Sequence, residues 1–281
     1  MKKLSIIVLA LTVAMLVFVS CNKENPSGTN EQTTFQYSLG CQFLPADQYA
    51  ALPVVNAPEI ELKTLPKSVT ISTPPIGDQG DQGSCVAWGT TYAGRSIDWY
   101  ITSSLTSYSY STDIFSPAYV YNQIKISTCA SGAYVVTGLN LLKSQGVCTW
   151  TLMPYNASDC STMPNSTQKA QAASYKISSY GTVAINATTI KTFLSTNKPV
   201  IVAGPVNTAF ENLGNGQILG KFTGSSLGGH CYCIIGYDDT KGAFKFQNSW
   251  GTGWGSSGYG WISYTYITSW WQEAYVITTT L

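Results

Sequence analysis

Apolar positions follow two regimes along this chain. From about residue 85 to residue 197 they recur at three- and four-residue spacing; beyond that they crowd into short runs rich in β-branched and aromatic residues. The first regime predicts a helix from Cys85 to about Ile101, with Ser84 as its cap and Trp88, Tyr92 and Trp99 at near-helical spacing. Ser116-Pro117 predicts a second helix start, because proline's missing N–H costs nothing in a first turn. "VTGLNLLKSQG" reads as a third helix stopped by Gly146, and "ATTIKTFLSTN" as a fourth that ends before Pro199. Then "PVIVAGPV", "HCYCIIGY", "AFKFQNSW", "GYGWISY" and "EAYVITTT" read as strands parted by Gly or Asp turns. A helical first half and a β second half make an α+β chain, and the cleft between two such lobes is a natural site.

The N-terminus has a pattern of its own. Lys2-Lys3 precede an uncharged run over residues 4–19, too short for about 30 Å of hydrocarbon, so residues 1–20 read as a secretory signal peptide. "FVSC" resembles a bacterial lipoprotein processing site, in which Cys21 becomes the lipidated first residue. That resemblance implies membrane attachment through Cys21 and a place in the bacterial cell envelope, at the outer membrane. The polar stretch after Cys21 predicts a flexible tether, and few sustained patterns occur before Leu65. Residues 21–64 are therefore expected to be a tether or N-terminal extension, and residues 65–281 the folded domain. Its helical lobe is expected at about 78–180 and its β lobe at about 181–281.

Charge narrows the partners. Only 10% of the 281 residues are charged and the net charge is +1, which offers no electrostatic footprint for nucleic acid.

Candidate chemistry starts from the chain's one histidine, His230. If "HCYCIIGY" and "AFKFQNSW" form a hairpin centred on Asp239, His230 and Asn248 stand at equal distance from the tip and face each other. Asn248 would then fix the tautomer and orientation of the imidazole, provided the register does not slip. Cys85, in "GDQGDQGSCVAW", is open to three readings: a buried thiol, half of a disulfide, or a nucleophile. At a helix start the dipole favours its thiolate, and a neighbouring imidazolium favours it further, so a depressed pKa is expected. The side-chain amide of Gln79 and the Cys85 N–H are suited to stabilise an oxyanion. A zinc reading of "HCYC" fails on geometry, because on a strand Cys231 and Cys233 point away from His230.

"QGDQGSCVAW", "GGHCYCIIGY" and "QNSWGTGWGSSGYGWI" together resemble the signature regions of papain-like cysteine peptidases, and "SPAYVYNQ" and "TGLNLLKSQGV" extend the likeness from Leu65 to the C-terminus. The resemblance implies a two-lobed fold with a helical lobe, a β-barrel-like lobe and the cleft between them. It implies Gln79 as oxyanion residue, Cys85 as nucleophile, His230 as base and acid, Asn248 as orienter, Trp250 as cover of the His–Asn bond, and Gly132 as a backbone contact for substrate. It further implies a cysteine endopeptidase acting on protein or peptide substrates, with no cofactor and no metal, as a monomer. The absence of a second histidine favours endopeptidase over a carboxylate-binding exopeptidase.

The departures from the family pattern matter too. Gln82 stands where the family commonly has a cysteine paired to the position of Cys129, so that bridge is lost, and Ser131 replaces a glycine beside Gly132. With Cys21 lipidated and Cys85 free, six cysteines allow fifteen pairings, of which a local Cys148–Cys160 bridge is preferred. Inhibitory pro-helices are not legible in residues 22–64, so zymogen control is not expected. Two other functions fit parts of the pattern. One is a Cys–His amidase that cuts peptidoglycan stem peptides. The other is a catalytically silent surface binding protein on the same fold, which a cleft blocked by residues 41–64 would favour.

Overall fold

The computed structural model describes residues 36–280. The expected signal peptide over 1–20 and the expected lipidation site at Cys21 lie outside the described residues.

The predicted helices form. Pro117–Ile124 starts as expected, with Ser116 Oγ accepting the Tyr119 N–H at 3.0 Å. Val135–Ser144 stops ahead of Gly146, whose φ of 82° and tight approach to the Ala172 carbonyl admit no side chain. Ala187–Ser195 is capped by Asn186. The Cys85 helix spans residues 85–102, but its centre, Trp88–Arg95, is π-helical between α-helical ends at Cys85–Ala87 and Ser96–Thr102. The wide turns seat two glycines on the β lobe: a Cβ on Gly89 would lie 2.7 Å from Cys231 Sγ, and one on Gly94 2.8 Å from Ile201 Cδ1. Ser84 does not cap this helix with its side chain. Its hydroxyl is taken by the Tyr155 hydroxyl at 2.7 Å.

The five predicted strands belong to one sheet. In order it runs Ser179–Thr182, Glu273–Thr278, Val200–Val206, Gly228–Asp238, Ala243–Gln247, Tyr259–Ser263 and Ile218–Leu219, and Ser68–Thr70 joins the far end of Gly228–Asp238. The core runs from the helical lobe through this sheet, and Cys85, Val86, Tyr119, Leu142, Ile201 and Phe246 are all buried in it.

Three expectations need correction. Cys160 is bonded to Cys129, with Cα atoms 5.6 Å apart, and not to Cys148, which is free and fully buried among core side chains. Losing its usual partner to Gln82 left Cys129 available, and the loop carrying Cys160 folds back to it. Second, the expected tether is packed structure over its later half. Cys41–Gln42 pairs in parallel with Ala133–Tyr134, Val55 N–H donates to the Thr182 carbonyl at 2.9 Å, and Tyr49 Oη bonds Ala274. The apolar residues of "LPADQYAALPVV" drive this packing. Third, the hairpin is not centred on Asp239. Asp238 faces Ala243, a bulge intervenes between Ile234 and Gly236, and Cys233 faces Gln247.

Candidate active site

Despite the different register, His230 and Asn248 meet. The ladder ends at Gln247; Asn248 turns away to donate its N–H to the Gly258 carbonyl at 3.0 Å. Its side chain then reaches diagonally back, and Oδ1 lies 2.7 Å from His230 Nε2. Diagonal neighbours across a ladder are within range of a long side chain, which is why a wrong register still named the right pair. Asn248 Oδ1 also accepts the Ser249 N–H at 2.8 Å, which fixes its amide. With Nε2 engaged, Nδ1 is the ring nitrogen left for chemistry, and it is buried with no hydrogen-bond partner. Trp250 covers the imidazole with ring centroids 4.6 Å apart, and Trp254 packs edge-on against Trp250.

Cys85 opens its helix on the other side of the cleft. Its sulfur lies against the backbone amides of Gly40, Val86 and Cys231, the last being the residue after His230. Gln79 is held by two bonds to Ser249: its N–H to the Ser249 carbonyl at 2.9 Å, and Ser249 Oγ to its Oε1 at 2.7 Å. That leaves the Gln79 amide as a donor. One hydrogen goes to the Gln82 carbonyl at 2.9 Å, and the other to the Ser38 carbonyl, also at 2.9 Å. Among the described residues no group of three or more His, Cys, Asp or Glu side chains is placed to hold a metal ion.

Ser38 belongs to the packed N-terminal segment, which lies in the cleft. Tyr37 stacks on Trp250 with centroids 4.5 Å apart and planes 4° from parallel. Gly40 donates its N–H to the Gly229 carbonyl at 3.2 Å and accepts the Ala133 N–H at 2.8 Å. It fits because it has no side chain, since a Cβ would lie 2.0 Å from the Gly83 carbonyl oxygen. Gly132, at φ 73°, meets it from the other side, where a Cβ would strike the Gly40 oxygen. Carboxylates hold both ends of the segment: Glu211 accepts the Gln36 N–H and Glu273 the Leu44 N–H, each at 2.6 Å.

Burial reverses the expected ionisation. Cys85 and His230 are both 0% exposed. Burial pushes the Cys85 thiol up to about 11, although the surrounding amides act to lower it. Burial pushes His230 down to about 4, against the opposing effect of Asn248. The depressed thiol pKa expected from the helix start and the histidine is therefore not found, because desolvation outweighs the backbone-amide contacts that lower it. At pH 7 a thiol with a pKa of about 11 is ionised to about one part in 10⁴. Sequence reasoning also missed Ser249, which orients Gln79, and the plug itself. The signal available for the plug was "YSLGC", a glycine between apolar residues in a stretch otherwise read as tether.

The chain belongs to the papain family of cysteine proteases: residues 65–276 match the family described as "Papain family cysteine protease". Among curated relatives, it is 30% identical over 204 residues to the gamete and mating-type specific protein A of Dictyostelium discoideum, a match covering 70% of this chain and 42% of that protein. It is 27% identical over 218 residues to ananain of Ananas comosus, covering 74% of this chain and 58% of ananain. The chain thus spans about half the length of these relatives. Among solved structures, xylellain, a cysteine protease from Xylella fastidiosa, superposes with a TM-score of 0.73 at 25% identity, over 87% of this chain and 96% of that one. The α+β, two-lobed papain fold is the fold of this chain.

Proposed function

We propose that the chain is a cysteine endopeptidase held inactive by its own residues 36–44. The observation that carries this reading is the bond from Gln79 Nε2 to the Ser38 carbonyl, beside a thiol that contacts the Gly40 amide. A peptide of the chain itself lies where a peptide substrate must lie.

With the plug out, water returns to the cleft and the desolvation that keeps both groups neutral falls away. Cys85 Sγ then passes its proton to His230 Nδ1, while Nε2–H stays on Asn248 Oδ1. The thiolate adds to the substrate carbonyl, forming a C–S bond as the C=O π pair moves onto oxygen. Gln79 Nε2–H and the Cys85 N–H stabilise that oxyanion, a contribution of about 10²–10³ for a positioned donor. His230 gives its proton to the leaving amine as the C–N bond breaks, a step worth about 10²–10⁴. Water, deprotonated by His230, then attacks the thioester; the acid leaves and the thiol is restored.

The filled cleft also favours the second reading, a silent binding protein, so the test must open it. Full-length Gly40→Ala protein, in which the plug collides with Gly83, is incubated with a diverse peptide mixture in mild reductant, beside Gly40→Ala/Cys85→Ala. Internal cuts present in the first and absent in the second are expected. A folded Gly40→Ala protein whose Cys85 is accessible to E-64 but which cuts neither peptides nor purified peptidoglycan would sink the enzyme reading. Cuts in peptidoglycan alone would replace endopeptidase with amidase. Attachment of this enzyme to the bacterial envelope through Cys21 belongs to the same proposal, and is checked by mass spectrometry of the N-terminal peptide for a lipidated cysteine.

A further inference from the structure

The two candidate oxyanion donors are joined by a loop that is soft by composition. Residues 79–84 read Gln-Gly-Asp-Gln-Gly-Ser, with Gly80 at φ 54°, so the loop has little stiffness of its own. One donor, the Gln79 amide, starts the loop, and the other, the Cys85 N–H, follows its end. A single hydroxyl ties the two ends together. Tyr155 Oη lies 2.8 Å from the Gln79 carbonyl oxygen, 2.7 Å from Ser84 Oγ and 3.1 Å from Gln82 Oε1. A phenol carries one proton and can also accept, so Ser84 donates to it while its own O–H is shared between the two glutamine oxygens. Burial pushes this phenol up to about 12, which keeps it a donor through neutral pH. Its ring packs edge-on against Trp88, on the helix of Cys85, with centroids 5.0 Å apart.

Gln82 completes the grip. It is buried, its Nε2 donates to the Asn156 carbonyl at 2.8 Å, and its own carbonyl accepts the Gln79 Nε2–H at 2.9 Å. The next residue, Gly83, donates its N–H to the Cys129 carbonyl at 2.8 Å, and the Cys129–Cys160 bridge joins the two segments that hold Gln82 and Gly83. Gln82 stands where the resembled family commonly has a bridged cysteine. In this chain, hydrogen bonds to Tyr155 and Asn156 restrain the loop at that position.

We infer that Tyr155 and Gln82 are positioning residues, which set the Gln79 amide against the Cys85 N–H in place of that crosslink. Ser249 holds Gln79 from the β lobe, and these two hold it from the helical lobe. With one Gln79 hydrogen fixed on the Gln82 carbonyl, the other is aimed at the spot that the Ser38 carbonyl oxygen now takes. A group misplaced by about 1 Å can cost about 10²-fold in rate, so a soft loop needs such restraint.

This inference rests on the endopeptidase reading, so the test includes a readout that needs no peptide turnover. In full-length Gly40→Ala protein, Tyr155→Phe removes one oxygen and leaves the ring on Trp88. It should lower kcat on a fluorogenic peptide by about tenfold or more, with KM within about twofold, and Gln82→Met, which keeps the volume, should act in the same direction. Alkylation of Cys85 by iodoacetamide forms no oxyanion, so its rate should stay within about twofold. With Gln79→Ala already in place, Tyr155→Phe should cost no more than about twofold, because the donor it positions is gone. The p-nitrophenyl ester of an N-acetylated amino acid supplies the second readout: a C–S bond to Cys85 forms, the ester C–O bond breaks, and nitrophenolate leaves in a burst. That burst should slow by about tenfold in Tyr155→Phe. A slowed burst from a protein that cuts no peptide would remove the endopeptidase and keep the positioning role. Rates unmoved by either change, lowered together with alkylation, or lowered as much in the Gln79→Ala background would overturn the positioning role. No cuts and no burst would overturn both.

Discussion

Replacing Gly40 by alanine is the sharpest perturbation available. The new methyl would lie 2.0 Å from the Gly83 carbonyl oxygen, 2.5 Å from its carbon and 2.6 Å from its Cα, all backbone atoms with no rotamer to yield. Overpacking of this kind costs about 1–3 kcal/mol. The displacement that relieves it also breaks the two backbone bonds of Gly40, to Gly229 and Ala133, at about 1 kcal/mol each. The plugged state therefore loses about 3–5 kcal/mol, and the open-to-plugged ratio rises about 10²–10⁴-fold. The rate at which iodoacetamide modifies Cys85, read by peptide mapping at pH 7, follows the open fraction and should rise by that factor until opening is complete. Cys148 and Cys233, buried away from the plug, serve as internal controls. If Gly40→Ala melts as a folded protein while Cys85 alkylates within threefold of the parent, residues 36–44 do not govern access and the reasoning fails.

Protonation offers a second handle. His230 in the folded, plugged form sits at about 4, below its ordinary value of 6.5, so the unfolded protein binds the proton first. The folded form is thus destabilised as pH falls from 6.5 to 4, by up to about 3 kcal/mol, and its stability in urea should fall across that window more than that of a His230→Gln variant. An equal profile for the two proteins would contradict it. Changing Gln79 to alanine in the opened protein should lower kcat by about 10²–10³ with a smaller effect on KM, measured on a fluorogenic peptide. The Cys129–Cys160 bridge spans 31 residues, so Cys160→Ser should cost about 3–4 kcal/mol in urea unfolding. The change Cys148→Ser should leave the bridge intact in non-reducing peptide maps.

Local rules carried the fold where one segment satisfied them alone. The Ser116-Pro117 start, the Gly146 stop and the alternating strands were all legible because cap, stop and period lie within a few residues of one another. The four polar residues of the candidate site were legible through their motifs. Other features depended on distant segments. Ser84 gave its hydroxyl to Tyr155, 71 positions away, in place of capping. The hairpin register moved at a bulge that turn chemistry does not announce. Cys160 found Cys129 because loops between helices set which thiols meet. The largest miss, the ionisation of Cys85 and His230, followed from their burial, since a local reading of dipole and partner cannot register desolvation by segments distant in sequence.

The π-helical turns of the Cys85 helix have a consequence for anyone engineering this protein. Gly89 lies one helical turn beyond Cys85, and its bare Cα rests on Cys231, the neighbour of the histidine, so it works as a shim that sets the gap between the two halves of the site. Helix propensity marks such a glycine as a defect whose repair by alanine is worth about 1 kcal/mol. Here that repair would wedge the helix of Cys85 away from His230, so that a search for thermostability guided by propensity alone would trade away the alignment of the candidate site.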